Sequence, residues 1–231
     1  MKKQLLIIFL LVYSLGLSAQ TIKFDISGNI VKTDSTKFVY LTTIQQIIKD
    51  SDDQIFMVQP ITDGNFAFKG TFDLKGKDYQ PAFLFIDQRG NVTKEELTSK
   101  LRNAVLVAEG ENNFRLVMME ELHLRINSDQ EVKTSIVTQG GLLTKQVDER
   151  NRAMRQGNGK LLDFVKSHAG SLVALAVVEE MADGINADNQ DRLGAIFGTP
   201  MQLYNQLSPV LKSSKRGVAV RKKILAKQGV K

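Results

Sequence analysis

Apolar and polar positions follow two different patterns along this chain, and the change falls at Gly140-Gly141. Before it, apolar side chains alternate with polar ones at the period of two that is typical of half-buried strands. After it, apolar residues recur at the spacing of helices. Strands grouped before helices favour an α+β protein. We therefore predict an N-terminal antiparallel β-sandwich or barrel over residues 20–141, followed by a small all-helical region over residues 142–231.

The clearest strand signal lies in residues 60–73. Phe66, Phe68 and Phe72 alternate there with small or polar side chains, which places the aromatic rings on one face of a strand. The preceding Asp63-Gly64-Asn65 has the composition of a tight turn, because Gly64 can adopt the positive φ that such turns require. We predict that this turn joins a strand at 54–61 to the aromatic strand as a hairpin.

Further strands are predicted from the same alternation. The first, at 22–26, should bend or bulge at Gly28-Asn29, and the wholly apolar run at 82–86 should be a central strand. Thr93 and Glu96 form a capping-box pattern that predicts one or two helical turns. The remaining predicted strands are 37–44, 104–108, 114–119, 122–126 and 132–138.

Helix start and stop signals divide the second half of the chain. Ser171 should cap a helix at 172–182, which is apolar on nearly every side and should therefore be buried. Thr199-Pro200 should start another helix, whereas Pro209 and Ser213-Ser214 predict breaks. The other predicted helices are 142–155, 161–167, 188–197 and a basic one at 216–227.

The N-terminus predicts export. Met1-Lys2-Lys3 is basic, residues 5–15 are apolar, and Ala19 provides a small residue before the expected cut. These are the parts of a signal peptide at 1–19, and the alternative is an uncleaved anchor. We expect an exported protein of the periplasm or cell envelope. The sequence has no Cys, which excludes disulfides, thiol catalysis and thiolate metal sites.

The net charge of +6 is concentrated at the C-terminal end, because residues 205–231 hold eight basic residues and no acidic one. One interpretation is a terminal helix docked on the acidic remainder of the chain, with Val218, Ile224 and Leu225 on its apolar side. The other is contact with anionic lipid headgroups or an acidic partner. An exported chain is not expected to bind nucleic acid. The candidate contact residues are Arg216, Arg221, Lys222, Lys223 and Lys227.

Several short motifs together resemble one known family. In the β half they are residues 24–30 (FDISGNI), 39–41 (VYL), 63–70 (DGNFAFKG), Pro81, 109–112 (EGEN) and Gly140-Gly141. In the helical half they are residues 162–165 (LDFV), 168–171 (HAGS), 203–204 (LY) and 207–209 (LSP). The chain resembles the domain of unknown function found N-terminal to thioredoxin-like disulfide oxidoreductases of Gram-negative bacterial envelopes.

The resemblance implies a fold and a cellular location but no activity. Members of that family continue into a thioredoxin fold with a Cys-x-x-Cys pair, and this sequence has no Cys. The oxidoreductase activity therefore does not carry over. What carries over is a β domain with a helical spacer, placed in the cell envelope.

Other candidate chemistry is sparse. His123 and His168 fall in separate halves of the chain. Residues 183–191 lack the Gly and Glu positions of a calcium loop. The side chains of the adjacent pairs Glu120-Glu121 and Glu179-Glu180 diverge too far to act as acid and base. We predict no catalytic, cofactor or metal residue. The aromatic residues could form a sugar-binding platform, although core packing is the more common role; they are Phe66, Phe68, Phe72, Phe83 and Phe85.

Three hypotheses of function follow. The first is a non-enzymatic accessory or scaffolding module of the cell envelope that binds a protein partner, with a separately supplied thioredoxin-like protein as one candidate. The second is a glycan- or peptide-binding β-sandwich protein. The third, an unrecognised hydrolase, has the least support. A broad apolar patch near the C-terminal end of the helical part would favour the first.

Overall fold

The computed structural model describes residues 21–33, 37–43, 55–99, 114–186 and 188–227. The chain divides into two compact units, Met1–Gly141 and Leu142–Lys231, which are described separately below. The first unit is built of strands and the second of helices, which confirms the predicted α+β class. No helix of the described residues is long and apolar enough to cross a membrane.

The strands of the first unit form two four-stranded sheets. The first sheet has the order β4-β1-β7-β8, with β1 at Thr21–Lys32, β4 at Asn65–Asp73, β7 at Glu121–Ser128 and β8 at Ile136–Gly140. The second has the order β3-β2-β5-β6, with β2 at Phe38–Thr42, β3 at Phe56–Pro60, β5 at Pro81–Asp87 and β6 at Phe114–Met118. The run at 82–86 is thus in a central strand, as predicted.

The prediction of a purely antiparallel β unit is wrong for one pair. Strands β1 and β7 are neighbours in the first sheet and run parallel, although β2 to β6 lie between them in the sequence. All other pairs are antiparallel. Within the part of the chain that is described, no pairing closes either sheet into a barrel.

The two sheets contribute to one apolar core. Ile26 and Phe68 of the first sheet are completely buried in the same cluster as Leu41 and Leu84 of the second. A smaller cluster, which includes Tyr40, lies on the other face of the second sheet, since neighbouring strand residues point to opposite faces. The helical stretch at 94–99 contributes to that smaller cluster.

Gly28 does not bend the first strand. Strand β1 pairs with β4 without interruption and in register past Gly28, which lies opposite Phe66. A Cβ on Gly28 would lie 2.5 Å from the Phe66 ring, so the missing side chain makes room for an aromatic ring. Gly70 of β4 has the same relation to Phe24 of β1. These glycines therefore serve cross-strand packing and not a bulge.

The turn at Asp63-Gly64 is confirmed, but the hairpin around it is wrong. Both residues have positive φ, 52° and 75°, and Thr62 and Asn65 exchange two backbone hydrogen bonds, as in a type I′ turn. However, the strand before the turn pairs with β2 and the strand after it pairs with β1. Pairing across the turn is limited to the bridge between Thr62 and Asn65, and the turn carries the chain from one sheet to the other.

The other predicted elements of the β unit are partly confirmed. Thr93 caps the helical stretch by accepting from Glu96 N at 3.2 Å, but the Glu96 carboxylate accepts from Arg89 instead of reaching back. The predicted strand at 132–138 begins as a 3-10 turn at Val132–Thr134 before β8. The predicted strand at 104–108 and the signal peptide at 1–19 lie outside the described residues.

The second unit contains seven helices among its described residues. They are α1 Leu142–Gln156, α2 Lys160–Ser167, α3 Leu172–Gly184, α4 Gln190–Phe197, α5 Pro200–Gln206, α6 Pro209–Ser213 and α7 Lys215–Lys227. Ser171 caps the buried helix α3 and Thr199 forms a full capping box with Gln202, as the pattern predicts. The breaks predicted at Pro209 and Ser213-Ser214 are confirmed, because α5, α6 and α7 are separate helices. Pro209 itself starts α6 behind the cap Ser208, since proline suits the first turn of a helix.

Candidate partner-binding groove

Helix α7 buries a different face from the one that the sequence indicates. We expected Val218, Ile224 and Leu225 to form the apolar side. Instead Gly217, Val220 and Ile224 are the buried residues, at the i, i+3, i+7 spacing of one helical stripe. Val218 is 56% exposed.

Gly217 sets how closely α7 approaches the preceding helix. A Cβ at this position would collide with the carbonyl oxygen of Leu211 in α6. The Gly217 amide also donates to Ser214 Oγ at 3.0 Å. The absence of a side chain therefore allows α7 to lie directly against α6 and fixes the side of α7 that remains open.

Three of the five predicted contact residues hold α7 on α3. Arg216 forms a two-pronged pair with the Glu179 carboxylate, and its Nε lies 2.5 Å from Oε1. Lys223 Nζ lies 2.6 Å from Asp183 Oδ1, and Lys227 donates to the Asp183 carbonyl oxygen at 2.8 Å. Lysine at the carboxyl end of a helix also complements the helix dipole. These three residues support the interpretation of a docked helix.

Partial burial affects both members of the Arg216–Glu179 pair. Burial raises the pKa of the Glu179 carboxyl, and the neighbouring carboxylates of Asp183 and Glu180 raise it further while the Lys223 ammonium lowers it. Burial also lowers the pKa of the Arg216 guanidinium. Both directions reflect a partial loss of water around these two charges.

The other two predicted residues, Arg221 and Lys222, line an open groove within the helical unit. Its volume is about 490 Å³, which is in the range of sites that bind ligands or side chains. None of the lining residues is acidic. The full lining is Tyr204, Lys212, Val218, Arg221, Lys222, Leu225 and Ala226.

The groove has an apolar floor and a cationic rim. Along α7, Val218 and Leu225 are seven residues apart and Arg221 and Lys222 lie between them, so all four share one helical face. Among the described residues, neither Arg221 nor Lys222 forms an ion pair. The groove thus combines unpaired positive charge with accessible apolar surface.

The opposite wall is held by hydrogen bonds. Lys212 Nζ donates to the Asn205 carbonyl oxygen at 2.9 Å, and the Tyr204 hydroxyl donates to the Lys212 carbonyl oxygen at 3.3 Å. Tyr204 itself is buried. Sequence reasoning missed both lining residues. The basic run at 205–231 already contains Lys212, but only the fold shows that it lies across from Arg221 and Lys222.

The remaining candidate groups have local structural partners. His123 Nδ1 shares a hydrogen bond with Ser27 Oγ at 3.0 Å, and His168 Nε2 lies 2.7 Å from Glu149 Oε2. In the adjacent acidic pair of α3, Glu180 bonds Arg150 while Glu179 bonds Arg216. The described residues contain no group of three or more potential metal ligands.

The loop after α3 is also explained by local hydrogen bonds. Asn189 occupies the position before α4, and its side chain makes no capping hydrogen bond to that helix. The Asn186 side chain accepts from the amides of Asp188 and Asn189, and Asn189 Oδ1 accepts from the Asn186 amide. The oxygen-rich composition of this loop therefore serves turn formation.

The aromatic residues that could have formed a sugar platform belong to apolar clusters. Phe66, Phe68 and Phe85 are buried, and Phe72 and Phe83 are partly buried against the same clusters. Phe85 stacks on Tyr40 with ring centres 4.6 Å apart. Since these rings pack on protein, they offer no continuous exposed strip.

Comparison of this chain with models of known protein families, with curated proteins and with solved structures finds no match.

Proposed function

We propose that this chain is an exported, non-enzymatic accessory module of the cell envelope that binds a protein partner through the groove beside its C-terminal helix. The observation that carries the proposal is the combination of apolar floor and unpaired cations on the open face of α7. The other face of the same helix is fully engaged by α3 and α6. A helix that is docked on one side and equipped for contact on the other is suited to presenting a binding surface.

In this proposal the β unit is a β-sandwich. The support comes from the core to which both sheets contribute, with Ile26, Phe68, Leu41 and Leu84 completely buried together. The turn at Asp63-Gly64, which carries the chain from one sheet to the other, agrees with this arrangement.

The alternative of a glycan-binding sandwich has less support. Carbohydrate platforms require exposed rings, and the five candidate phenylalanines are packed in apolar clusters. A peptide could add to a sheet edge such as β8, where Ile136 is 58% exposed. The groove of the helical unit is the better-supported contact surface.

A thioredoxin-like protein of the same envelope is the first candidate partner, on the resemblance described above. The test uses the tagged full chain in its native host, cell fractionation with sequencing of the mature N-terminus, and cross-linking in intact cells. We expect export, cleavage after Ala19 and a reproducible adduct with an envelope protein.

Retention of the chain in the cytoplasm, or the absence of any envelope adduct, would contradict this proposal. A purified envelope thioredoxin-like protein then tests the identity of the partner separately. If that protein does not bind but another envelope protein is cross-linked, the role as a binding module stands and the thioredoxin-like candidate is rejected.

A further inference from the structure

We infer that the partner occupies the groove with an acidic amphipathic helix; this inference rests on the proposed function and specifies the chemistry of the same site. Three features of the groove support this inference: its charge, the spacing of its apolar residues and its concave shape. Each points to a helical segment with carboxylates beside an apolar stripe.

The charge of the groove selects an acidic partner. Lys212, Arg221 and Lys222 surround it, and its lining contains no carboxylate. The two acidic groups of α3 that contact α7, Glu179 and Asp183, are already engaged by Arg216 and Lys223. A partner segment that carries Glu or Asp would provide the negative charge that the described residues do not supply to Arg221 and Lys222. The opposite charges would raise both the rate of association and the specificity.

The spacing of the groove matches a helix. Val218 and Leu225 stand two turns apart on α7, and the apolar Ala226 continues the stripe. A helix that lies in a hydrophobic groove contacts it through residues at i, i+3, i+4 and i+7. Two turns of α7 span about 10 Å, which accommodates two such apolar contacts of the partner.

The concave shape favours a peptide over a membrane surface. Tyr204 is buried and Leu225 is half-buried, whereas Val218, Arg221 and Lys222 are exposed, so Tyr204 and Leu225 are the apolar residues that lie below the charged rim. A bilayer would meet the rim and would leave this floor unfilled. A helix can lower its side chains onto Tyr204 and Leu225 while its carboxylates meet the rim.

A fluorescent synthetic peptide tests the inference with the purified mature chain. The peptide has about four helical turns, with Leu at helical spacing on one face and Glu on both flanks; a second peptide carries Lys in place of Glu. We expect the acidic peptide to bind at least about tenfold more tightly than the basic one in low salt. We also expect its affinity to fall at about 0.5 M salt, because rim charges are screened.

Two variants and a control locate the binding. Arg221→Glu with Lys222→Glu should weaken acidic-peptide binding by at least about tenfold, and Val218→Gln should weaken it about threefold through loss of apolar contact. Lys145→Glu with Lys166→Glu changes the net charge equally at exposed positions of α1 and α2 that are outside the groove lining, and it should leave the affinity unchanged. Thermal unfolding monitored by circular dichroism confirms that each variant is folded.

Three results would overturn the inference. They are equal binding of both peptides, no binding of the acidic peptide, and equal losses in the groove and control variants. Vesicles that contain anionic phospholipid serve as a competing probe: if they bind through Arg221 and Lys222 while the acidic peptide does not, the surface belongs to lipid. An envelope adduct in cells that survives the groove variants would reject this inference and leave the proposed function intact.

Discussion

The β unit and the helical unit use charged side chains in different ways. In the β unit, Lys37 and Asp129 form an ion pair in which the side chains are only 5% and 2% exposed. Lys37 precedes β2 of the second sheet and Asp129 follows β7 of the first, so the pair connects both sheets. In the helical unit, the pairs of α7 with α3 are partly open to solvent, and Arg221 and Lys222 form no ion pair with any residue that the structure describes.

This difference bears on the proposed binding surface. A buried pair has excluded water and is committed to the fold, because either charge left alone would carry the full cost of desolvation. A solvated pair contributes little to stability, and an unpaired exposed cation contributes to recognition instead. Substitutions should therefore affect stability most in the β unit and binding most at α7. The following predictions test this order, from the largest effect on stability to the smallest.

Removal of one buried charge should have the largest effect. Lys37→Met should lower the free energy of unfolding by about 3–5 kcal/mol, because Asp129 is left buried without its partner. Urea denaturation measures this loss. The double variant Lys37→Met with Asp129→Leu should recover most of it, since no unpaired charge remains. A double variant as unstable as the sum of the single variants would show that the two residues act independently.

A side chain at Gly217 should have the second-largest effect. Gly217→Ala should lower the free energy of unfolding by about 1–3 kcal/mol, because the added methyl meets the Leu211 carbonyl and α7 has to move away from α6. The control is Ala219→Ser, an exposed position of the same helix. Equal stability of the Gly217→Ala variant and the wild type in thermal unfolding would contradict the close packing of these helices.

Loss of the half-exposed pair should have a smaller effect. Arg216→Gln should lower the free energy of unfolding by about 1 kcal/mol, because Glu179 loses a two-pronged partner but keeps access to water. Arg216→Lys should recover part of the loss, since it restores the charge without the fork geometry. A loss comparable with that of Lys37→Met would remove the proposed distinction between the two units.

The smallest effect on stability should occur at the groove. Arg221→Glu with Lys222→Glu should change the free energy of unfolding by no more than about 0.5 kcal/mol, because both side chains are exposed and form no ion pair among the described residues. Chemical denaturation checks this value. A loss above about 2 kcal/mol would indicate that these residues hold the fold and are not available for a partner.

Local sequence signals predict the elements of this protein better than the way they are joined. The alternation around Phe66 and Phe68 correctly predicts β4 and its buried face. Strand β4 pairs along its whole length with β1, and these contacts are distant in sequence. The nearby turn at Asp63-Gly64 therefore suggests a hairpin that does not form. The sequence suggests a bulge at Gly28 for the same reason. That Gly28 makes room for the Phe66 ring is visible only once β1 and β4 are paired.

Prediction of the candidate site from the sequence has the same limit. The concentration of basic residues at the C-terminal end draws attention to α7. Composition does not show which side chains turn towards α3, and Arg216 and Lys223 look no different in the sequence from Arg221 and Lys222. Val218 has the hydrophobicity of a core residue, yet Gly217 takes the packed position because close approach to Leu211 requires it. Only the helix packing separates the docked face from the open one.

Site-specific photo-cross-linking from position 218 in intact cells tests the central claim most directly. A photoreactive residue replaces Val218 in the open groove, and the same residue at Lys145 serves as the exposed control. The account predicts an envelope-protein adduct from position 218 that is absent from position 145 and is lost when Arg221→Glu and Lys222→Glu are added. No adduct from position 218, or an adduct that persists with both substitutions, would contradict it.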